Sequence, residues 1–132
     1  MKFRFNLLIL LLSVILVQCD HTFIPEEIDS IVGVWVESTF EDDFLILVRK
    51  TKLDDNKPGI IFYEDGTLLE RKNSGWCGTP PISYSNFEGS WEKIADNIYE
   101  IESTNWSGII TYKIEVVQVT EDYLKYRNIF ED

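Results

Sequence analysis

The chain has 132 residues, of which 45% are apolar and 14% aromatic, and its formal net charge is −11. This composition is typical of a folded globular protein and excludes a disordered one. The acidic charge excludes nucleic acid as a partner, because nucleic-acid binding depends on basic groups that neutralise phosphates. One folded domain of about 100 residues is expected.

The N-terminal segment has the layout of a secretory signal peptide. Lys2 and Arg4 form a positive start, and Leu7 to Val17 is apolar except for Ser13. The apolar run is too short to span a membrane, which takes about 20 residues in a helix. Residues 1–18 are therefore predicted to be removed, which leaves 10 basic and 23 acidic residues and a net charge of −13.

The end of this signal, Leu16-Val17-Gln18-Cys19, resembles the lipobox of bacterial lipoproteins. The resemblance implies that Cys19 becomes the acylated first residue of the mature chain. Each buried methylene of its acyl chains would contribute about 0.8 kcal/mol to membrane binding. The alternative is ordinary signal peptidase cleavage near the same point, which would leave Cys19 as a thiol.

These two alternatives predict different states for Cys77, the other of the two cysteines. If Cys19 is acylated, Cys77 has no partner within the chain and is expected to be a small buried hydrophobic residue. If Cys19 is free, an exported protein would allow a disulfide between Cys19 and Cys77.

Residues 19–30 are predicted to be an acidic spacer and residues 31–132 a β domain. Segments rich in Val, Ile, Tyr, Phe, Trp and Thr alternate with turn residues about every 8 to 12 positions, which is typical of a β-sandwich or β-barrel. Eight strands are predicted, over Val32–Thr39, Phe44–Lys50, Gly59–Tyr63, Thr67–Lys72, Phe87–Ile94, Ile98–Ser103, Ile109–Val119 and Tyr123–Asn128.

The turns and the alternation of side chains predict how these strands are arranged. Asp65-Gly66 supplies the positive φ angles of a tight hairpin, and successive hairpins favour an up-and-down order. Phe87, Gly89 and Trp91 alternate with acidic and polar residues, which is the pattern of a half-buried strand. The domain should have one apolar core and an acidic exterior.

Together these motifs resemble the lipocalin-like lipoproteins of Gram-negative bacteria. The resemblance covers Ile31 to Asn128 and rests on the signal, Cys19 and the spacer, followed by Gly33-Val34-Trp35, Phe62-x-x-Asp65-Gly66-Thr67 and Gly89-Ser90-Trp91. It implies a small all-β protein, an antiparallel eight-stranded up-and-down barrel or half-barrel. It also implies a lipid-anchored protein of the bacterial outer membrane or cell surface that binds a ligand and is not an enzyme.

In full-sized lipocalins a basic residue from the end of the barrel packs across the tryptophan. The resemblance implies that Arg127, or in its place Lys125, forms a cation–π contact with Trp35, which contributes about 0.5 to 2 kcal/mol.

Full-sized lipocalins hold small apolar ligands in a cup, and this chain is shorter than they are. Its size therefore bears on whether the barrel can hold a deep cup. A dry pocket of about 300 Å³ would cost on the order of 7 kcal/mol, against a total stability of about 5 to 15 kcal/mol. A filled barrel with a shallow site at its mouth is therefore expected, with Trp35, Phe62, Trp91 and Tyr112 in the core.

The segment Asn73–Asn86 is longer than a normal hairpin loop, and such loops tend to be functional or disordered. Its prolines and apolar residues favour an ordered loop. One hypothesis is that the loop plugs one end of the barrel. The other is that Trp76 and Tyr84, with Trp106 from the segment Asn105–Gly108, form a rim that recognises a sugar, a lipid or a partner protein.

The residues give little support to catalysis, a cofactor or a metal. His21, the one histidine, lies in the spacer, so the domain cannot build a serine–histidine–acid arrangement or a histidine metal cluster. The acidic clusters Glu41-Asp42-Asp43 and Asp54-Asp55-Asn56 lack the ligand spacing of a calcium loop and are interpreted as solvated turns. An enzyme using loop carboxylates is the weakest hypothesis.

The leading hypothesis is a membrane-anchored binding module that takes a small apolar or glycan ligand at the barrel mouth. The alternative is a non-catalytic envelope protein with a filled barrel, whose exposed aromatic residues contact another protein. The sequence identifies no particular ligand, membrane leaflet or oligomeric state.

Overall fold

The computed structural model describes residues 30–130, so the predicted signal, Cys19 and nearly all of the spacer lie outside the described residues. Eight antiparallel strands make up this part of the chain. They are β1 (Gly33–Glu41), β2 (Phe44–Lys50), β3 (Gly59–Phe62), β4 (Thr67–Asn73), β5 (Tyr84–Ala95), β6 (Ile98–Asn105), β7 (Gly108–Val119) and β8 (Tyr123–Ile129).

The strands form a closed antiparallel barrel, which confirms the predicted all-β, eight-stranded fold. The order around the barrel is β1-β2-β8-β7-β6-β5-β4-β3, with β3 pairing back to β1. From β3 to β8 each strand pairs with the next, as expected of an up-and-down arrangement. The difference lies at the start, where β1 is inserted between β2 and β3.

This insertion means that residues 51–58, between β2 and β3, pass across the outside of β1. The Glu37 amide donates to the Pro58 carbonyl at 3.0 Å, and Val36, which faces outward next to inward-facing Trp35, is only 3% exposed. The Arg71 guanidinium on β4 fixes the segment by donating to the Asp54 carbonyl at 2.9 Å and to the Asp55 carboxylate at 2.8 Å. We call residues 51–58 the crossing segment. β2 does not pair with β3 because β1 lies between them, and the crossing segment covers Val36 on the outer face of β1.

The antiparallel registers place the connections at two ends of the barrel. We call the end at which β1 begins the closed end; it also holds the turns at residues 63–66, 96–97 and 120–122. We call the opposite end the mouth; it holds the β1–β2 turn, the loop 74–83, the turn 106–107 and Phe130.

The turn predicted at Asp65-Gly66 is confirmed. Gly66 has a φ of 85°, and the Asp65 carboxylate accepts hydrogen bonds from the backbone amide and the hydroxyl of Thr67 at 2.9 and 2.6 Å. These hydrogen bonds lower the pKa of the Asp65 carboxyl below its usual value. Asn97 at the β5–β6 turn also has a positive φ, of 60°.

The apolar core fills the barrel from the closed end to its middle. Its buried members are Ile31, Trp35, Leu47, Ile60, Phe62, Leu68, Tyr99, Ile101, Ile114, Val116, Val119 and Leu124, and partly buried Leu45, Trp91, Tyr112 and Tyr126 pack against them. All four residues predicted to be core, Trp35, Phe62, Trp91 and Tyr112, belong to this cluster.

Candidate functional site

The closed end is sealed by Trp35 and Arg49. The Trp35 indole is fully buried and donates to the Ile31 carbonyl at 2.7 Å. The Arg49 guanidinium lies 4.1 Å from the centre of the Trp35 ring and donates to the carbonyls of Glu121 and Val32 at 2.7 and 3.2 Å. Arg49 therefore closes this end of the barrel.

The same contact explains the Gly-x-Trp motif. A side chain at Gly33 would place its Cβ 2.2 Å from the Arg49 guanidinium nitrogen, and Gly33 has a φ of 142°. Only glycine meets both conditions without rearrangement. The motif thus makes room for the cation that covers the tryptophan.

The prediction that Arg127 or Lys125 covers Trp35 is wrong. Arg127 lies on the outside of β8, where it pairs with Glu115, and Lys125 lies 3.6 Å from Glu41 at the same surface. Arg49 was missed because the resemblance points to a basic residue near the C-terminal end of the chain, whereas Arg49 lies on β2, directly opposite Trp35 in the β1–β2 hairpin.

Aromatic rings fill the barrel next to the closed end. Phe62 and Trp91 meet edge to face with ring centres 5.7 Å apart, and Trp91 lies 5.9 Å from Tyr99. The Trp91 indole donates to the Tyr63 carbonyl at 3.0 Å. These contacts pack the part of the barrel that adjoins the turns at residues 63–66 and 96–97.

Polar side chains replace apolar ones on the inner face next to the mouth. The Lys72 ammonium lies 2.7 Å from the Glu70 carboxylate and donates to the Ser103 hydroxyl at 3.2 Å. The Tyr112 hydroxyl donates to the other Glu70 oxygen at 3.1 Å. We call Glu70, Lys72, Ser103, Tyr112 and Tyr126 the mouth cluster.

Two tyrosines of the mouth cluster are held in their neutral form. Burial, followed by the negative charge of Glu70, raises the pKa of Tyr112 well above its ordinary value. Burial, followed by the charges of Glu70 and Glu37, likewise raises the pKa of Tyr126. Both phenols therefore serve as neutral hydrogen-bonding and aromatic groups throughout the physiological pH range.

The sequence did not point to the mouth cluster, although a signal was present. Glu70 and Lys72 follow Leu68 at alternate positions of β4, so all three share one face, and Leu68 is 2% exposed. Charged residues in a strand normally indicate an exterior face, so alternation alone does not place Glu70 and Lys72 inside the barrel.

Exposed apolar side chains surround the mouth. Trp76 is 80% exposed, Trp106 58% and Phe130 86%, and Tyr84 is half-buried at the start of β5. Others at this end are Phe40, Ile82 and Ile109. The structure thus brings Trp76, Tyr84 and Trp106 to the same end of the barrel, and their role in binding stays a prediction.

The loop 74–83 does not plug the barrel. Residues 76–83 are exposed, and the loop is held at its base, where the Ser74 amide donates to the Ser83 carbonyl at 2.8 Å and the Asn73 side chain to the Cys77 carbonyl at 2.7 Å. The plug hypothesis is therefore wrong. The apolar residues Trp76 and Ile82 of this loop face solvent.

Cys77 is exposed, so the expectation of a buried cysteine is also wrong. Hydrogen bonds from the backbone amide and hydroxyl of Thr79 lower the pKa of its thiol. Cys77 is free among the described residues, and Cys19 lies outside them.

Within residues 30–130, no group of three or more histidine, cysteine or acidic side chains is arranged to hold a metal ion. No helix in that part of the chain has the length and apolarity to cross a membrane.

The fold and the site together define a small closed β-barrel with one sealed end and one polar, aromatic-rimmed mouth. Comparison of the chain with family models, curated proteins and solved structures finds no match.

Proposed function

We propose that the protein is an exported, lipid-anchored binding module, similar to lipocalins, whose small ligand enters at the mouth. The observation that carries this proposal is the difference between the two ends of the barrel. Arg49 and Trp35 close one end, whereas at the other a polar cluster lies beneath a ring of exposed aromatic side chains. Ligand sites commonly combine aromatic side chains with a small number of polar groups that orient the ligand.

The filled core supports a shallow site for an apolar or sugar ligand. A ligand held against Trp76 and Trp106 would gain apolar contact area, and the groups of the mouth cluster would orient its polar atoms. The side chains of Glu70 and Lys72 are 18% and 21% exposed, so the pair is partly accessible to water. Removing charges from water is costly, and a purely structural filling would be apolar.

The point at which the chain enters the barrel supports a lipid anchor at the closed end. Ile31 is buried at the closed end, so a tether at Cys19 would attach the barrel by that end. The proposed anchor would therefore leave the mouth directed away from the membrane that holds the protein.

The test is ligand binding by full-length protein extracted from its native membrane and placed in lipid nanodiscs. Bound small molecules would be identified by mass spectrometry, and fatty acids and glycans would be screened by thermal shift. Trp76→Ala should weaken binding and leave thermal stability unchanged, because the side chain is 80% exposed. Ile94→Ala, an exposed apolar residue near the closed end, is the matched control. Absence of any ligand or shift contradicts the proposal.

A second candidate function is contact with another envelope protein. The exposure of Phe130 and Trp76, at 86% and 80%, favours it, since aromatic residues contribute most binding energy at protein interfaces. Photo-crosslinking from residue 76 in intact cells separates the two functions. The second function would be supported if a partner protein crosslinks to residue 76, if Trp106→Ala abolishes this crosslink, and if the barrel binds no small molecule.

A further inference from the structure

We propose that the ligand of the mouth carries a positively charged nitrogen, an organic ammonium attached to an apolar group. The proposal rests on the binding function proposed above and names its ligand class. It comes from the balance of charges on the inner face of the barrel and from the aromatic rings beside them.

Glu37 is the residue that decides this balance. It follows Trp35 at the alternate position of β1 and is in register with Leu47 of β2, which is 2% exposed. Its side chain therefore lies on the inner face, next to the mouth, and is half-buried. No side-chain hydrogen bond or salt bridge engages its carboxylate within the described residues.

The other charges at the mouth do not neutralise Glu37. Lys72 is already held by Glu70, with 2.7 Å between the charged atoms, and by the Ser103 hydroxyl. Of these three charged side chains on the inner face, the negative charge of Glu37 is thus left without a partner among residues 30–130. A cation from outside the protein would balance it.

Aromatic rings lie where such a cation would be received. Tyr126 is close enough to both Glu37 and Glu70 for their charges to act on its hydroxyl, and Tyr112 is hydrogen-bonded to Glu70. Phe40 is in register with Leu45 of the core cluster, which places it on the inner face, yet it is 66% exposed at the mouth. Aromatic faces attract cations, and quaternary ammonium groups are commonly bound this way.

The same arrangement disfavours the other ligand classes. A fatty acid would bring its carboxylate toward Glu37 and Glu70, where like charges repel. A neutral glycoside would leave the half-buried Glu37 carboxylate without a counter-charge. An alkylammonium ion satisfies the carboxylate and places its apolar part against the rim.

The test uses three probes with the same hexyl group, namely hexyltrimethylammonium, hexanoate and hexyl glucoside. Binding to the full chain in lipid nanodiscs is measured by calorimetry and by tryptophan fluorescence, with empty nanodiscs as the blank. We expect the ammonium to bind about tenfold more tightly than hexanoate, and Glu37→Gln to remove about that factor while leaving affinity for the glucoside unchanged.

Glu41→Gln is the matched control. Glu41 is on the same strand, changes the net charge equally, and is exposed on the outer side, 3.6 Å from Lys125. It should leave all three affinities unchanged. An equal loss with Glu41→Gln would mean that only the overall negative charge matters, and would overturn the proposal.

The remaining outcomes separate this inference from the binding function. If hexanoate or the glucoside binds at the mouth as tightly as the ammonium, the cation preference is wrong and the binding function stands. If no probe binds and no small molecule copurifies, both are wrong. Thermal melting of Glu37→Gln shows that any loss of affinity comes from a folded protein.

Discussion

Arg49 is the side chain whose role the structure changes most. It covers Trp35 and satisfies two carbonyls, from Val32 and Glu121, that would otherwise lose their protein donors. The resemblance implied that Arg127 or Lys125 would cover Trp35, whereas the cation in that place is Arg49. The residue was not predicted, because Arg49 comes opposite Trp35 in the β1–β2 hairpin only through the bulge between Glu37 and Thr39; the register continued from the turn without that bulge would place Lys50 there.

Arg49→Ala should lower the free energy of unfolding by about 2 kcal/mol, since it removes a cation–π contact and two hydrogen bonds to backbone. Urea unfolding followed by tryptophan fluorescence would measure the loss. Arg127→Ala is the control, because it removes only a surface ion pair, which contributes less than about 1 kcal/mol. Equal losses for the two variants would contradict the sealing role of Arg49.

Cys77 allows a prediction about reactivity. Because Thr79 lowers the pKa of the thiol, a larger fraction should be thiolate at neutral pH than in an ordinary cysteine, and the thiolate is the reactive form. Alkylation of Cys77, followed by peptide mass spectrometry over a pH series, should show an early rise in rate. Thr79→Val should move that rise to higher pH without abolishing it, because the backbone amide remains. A protein whose Cys77 alkylates only after reduction would contradict the free thiol.

At the scale of elements, seven of the eight strands begin within one residue of their predicted starts. Alternation and turn residues are local signals, so they place strands well. The exception is β5, which begins at Tyr84 instead of Phe87. The segment Tyr84-Ser85-Asn86 has no apolar alternation. Its residues become strand because they pair, in that order, with Asn73, Lys72 and Arg71 of β4.

The packing of β5 against β6 leads to a sharp prediction at Gly89. An added Cβ would lie 2.1 Å from the Glu102 carbonyl oxygen, and a backbone atom cannot move aside as a flexible side chain can. Gly89→Ala should therefore destabilise the barrel by several kcal/mol, on the order of 3 or more, measured by thermal and urea unfolding. Gly75→Ala, in the loop where nothing lies within 4 Å of the added atom, should be close to neutral. A stable Gly89→Ala protein would show that β5 and β6 do not approach as described.

At the scale of the whole molecule, the buried tyrosines couple stability to pH. The folded protein raises the pKa of Tyr112 and Tyr126, whereas in the unfolded chain tyrosine titrates near pH 10. The unfolded state therefore loses protons first as pH rises. The contribution of these two tyrosines to the free energy of unfolding is therefore fully present below about pH 10 and declines as the pH rises above it.

The measurement is the urea midpoint between about pH 8 and pH 11.5, together with a tyrosinate absorbance titration. Tyr126→Phe should flatten the decline, and Tyr63→Phe should not, because Tyr63 is 43% exposed. A constant midpoint across this range, or simultaneous ionisation of all six tyrosines, would contradict the assignment.

The β2–β8 pairing has a consequence for how the chain folds. It joins Leu45–Val48 to Tyr123–Tyr126 through four registered pairs, whereas every other pairing links strands that are near one another in sequence. The chain can therefore assemble hairpin by hairpin into a curved open sheet with β2 and β8 as its edges. Pairing β2 with β8 closes the barrel. This pairing joins segments that are distant in sequence, and such contacts form slowly. Until it closes, the two edges could pair with another copy, and Lys50, Lys125 and Arg127, at or near those edges, supply the charges that discourage such pairing.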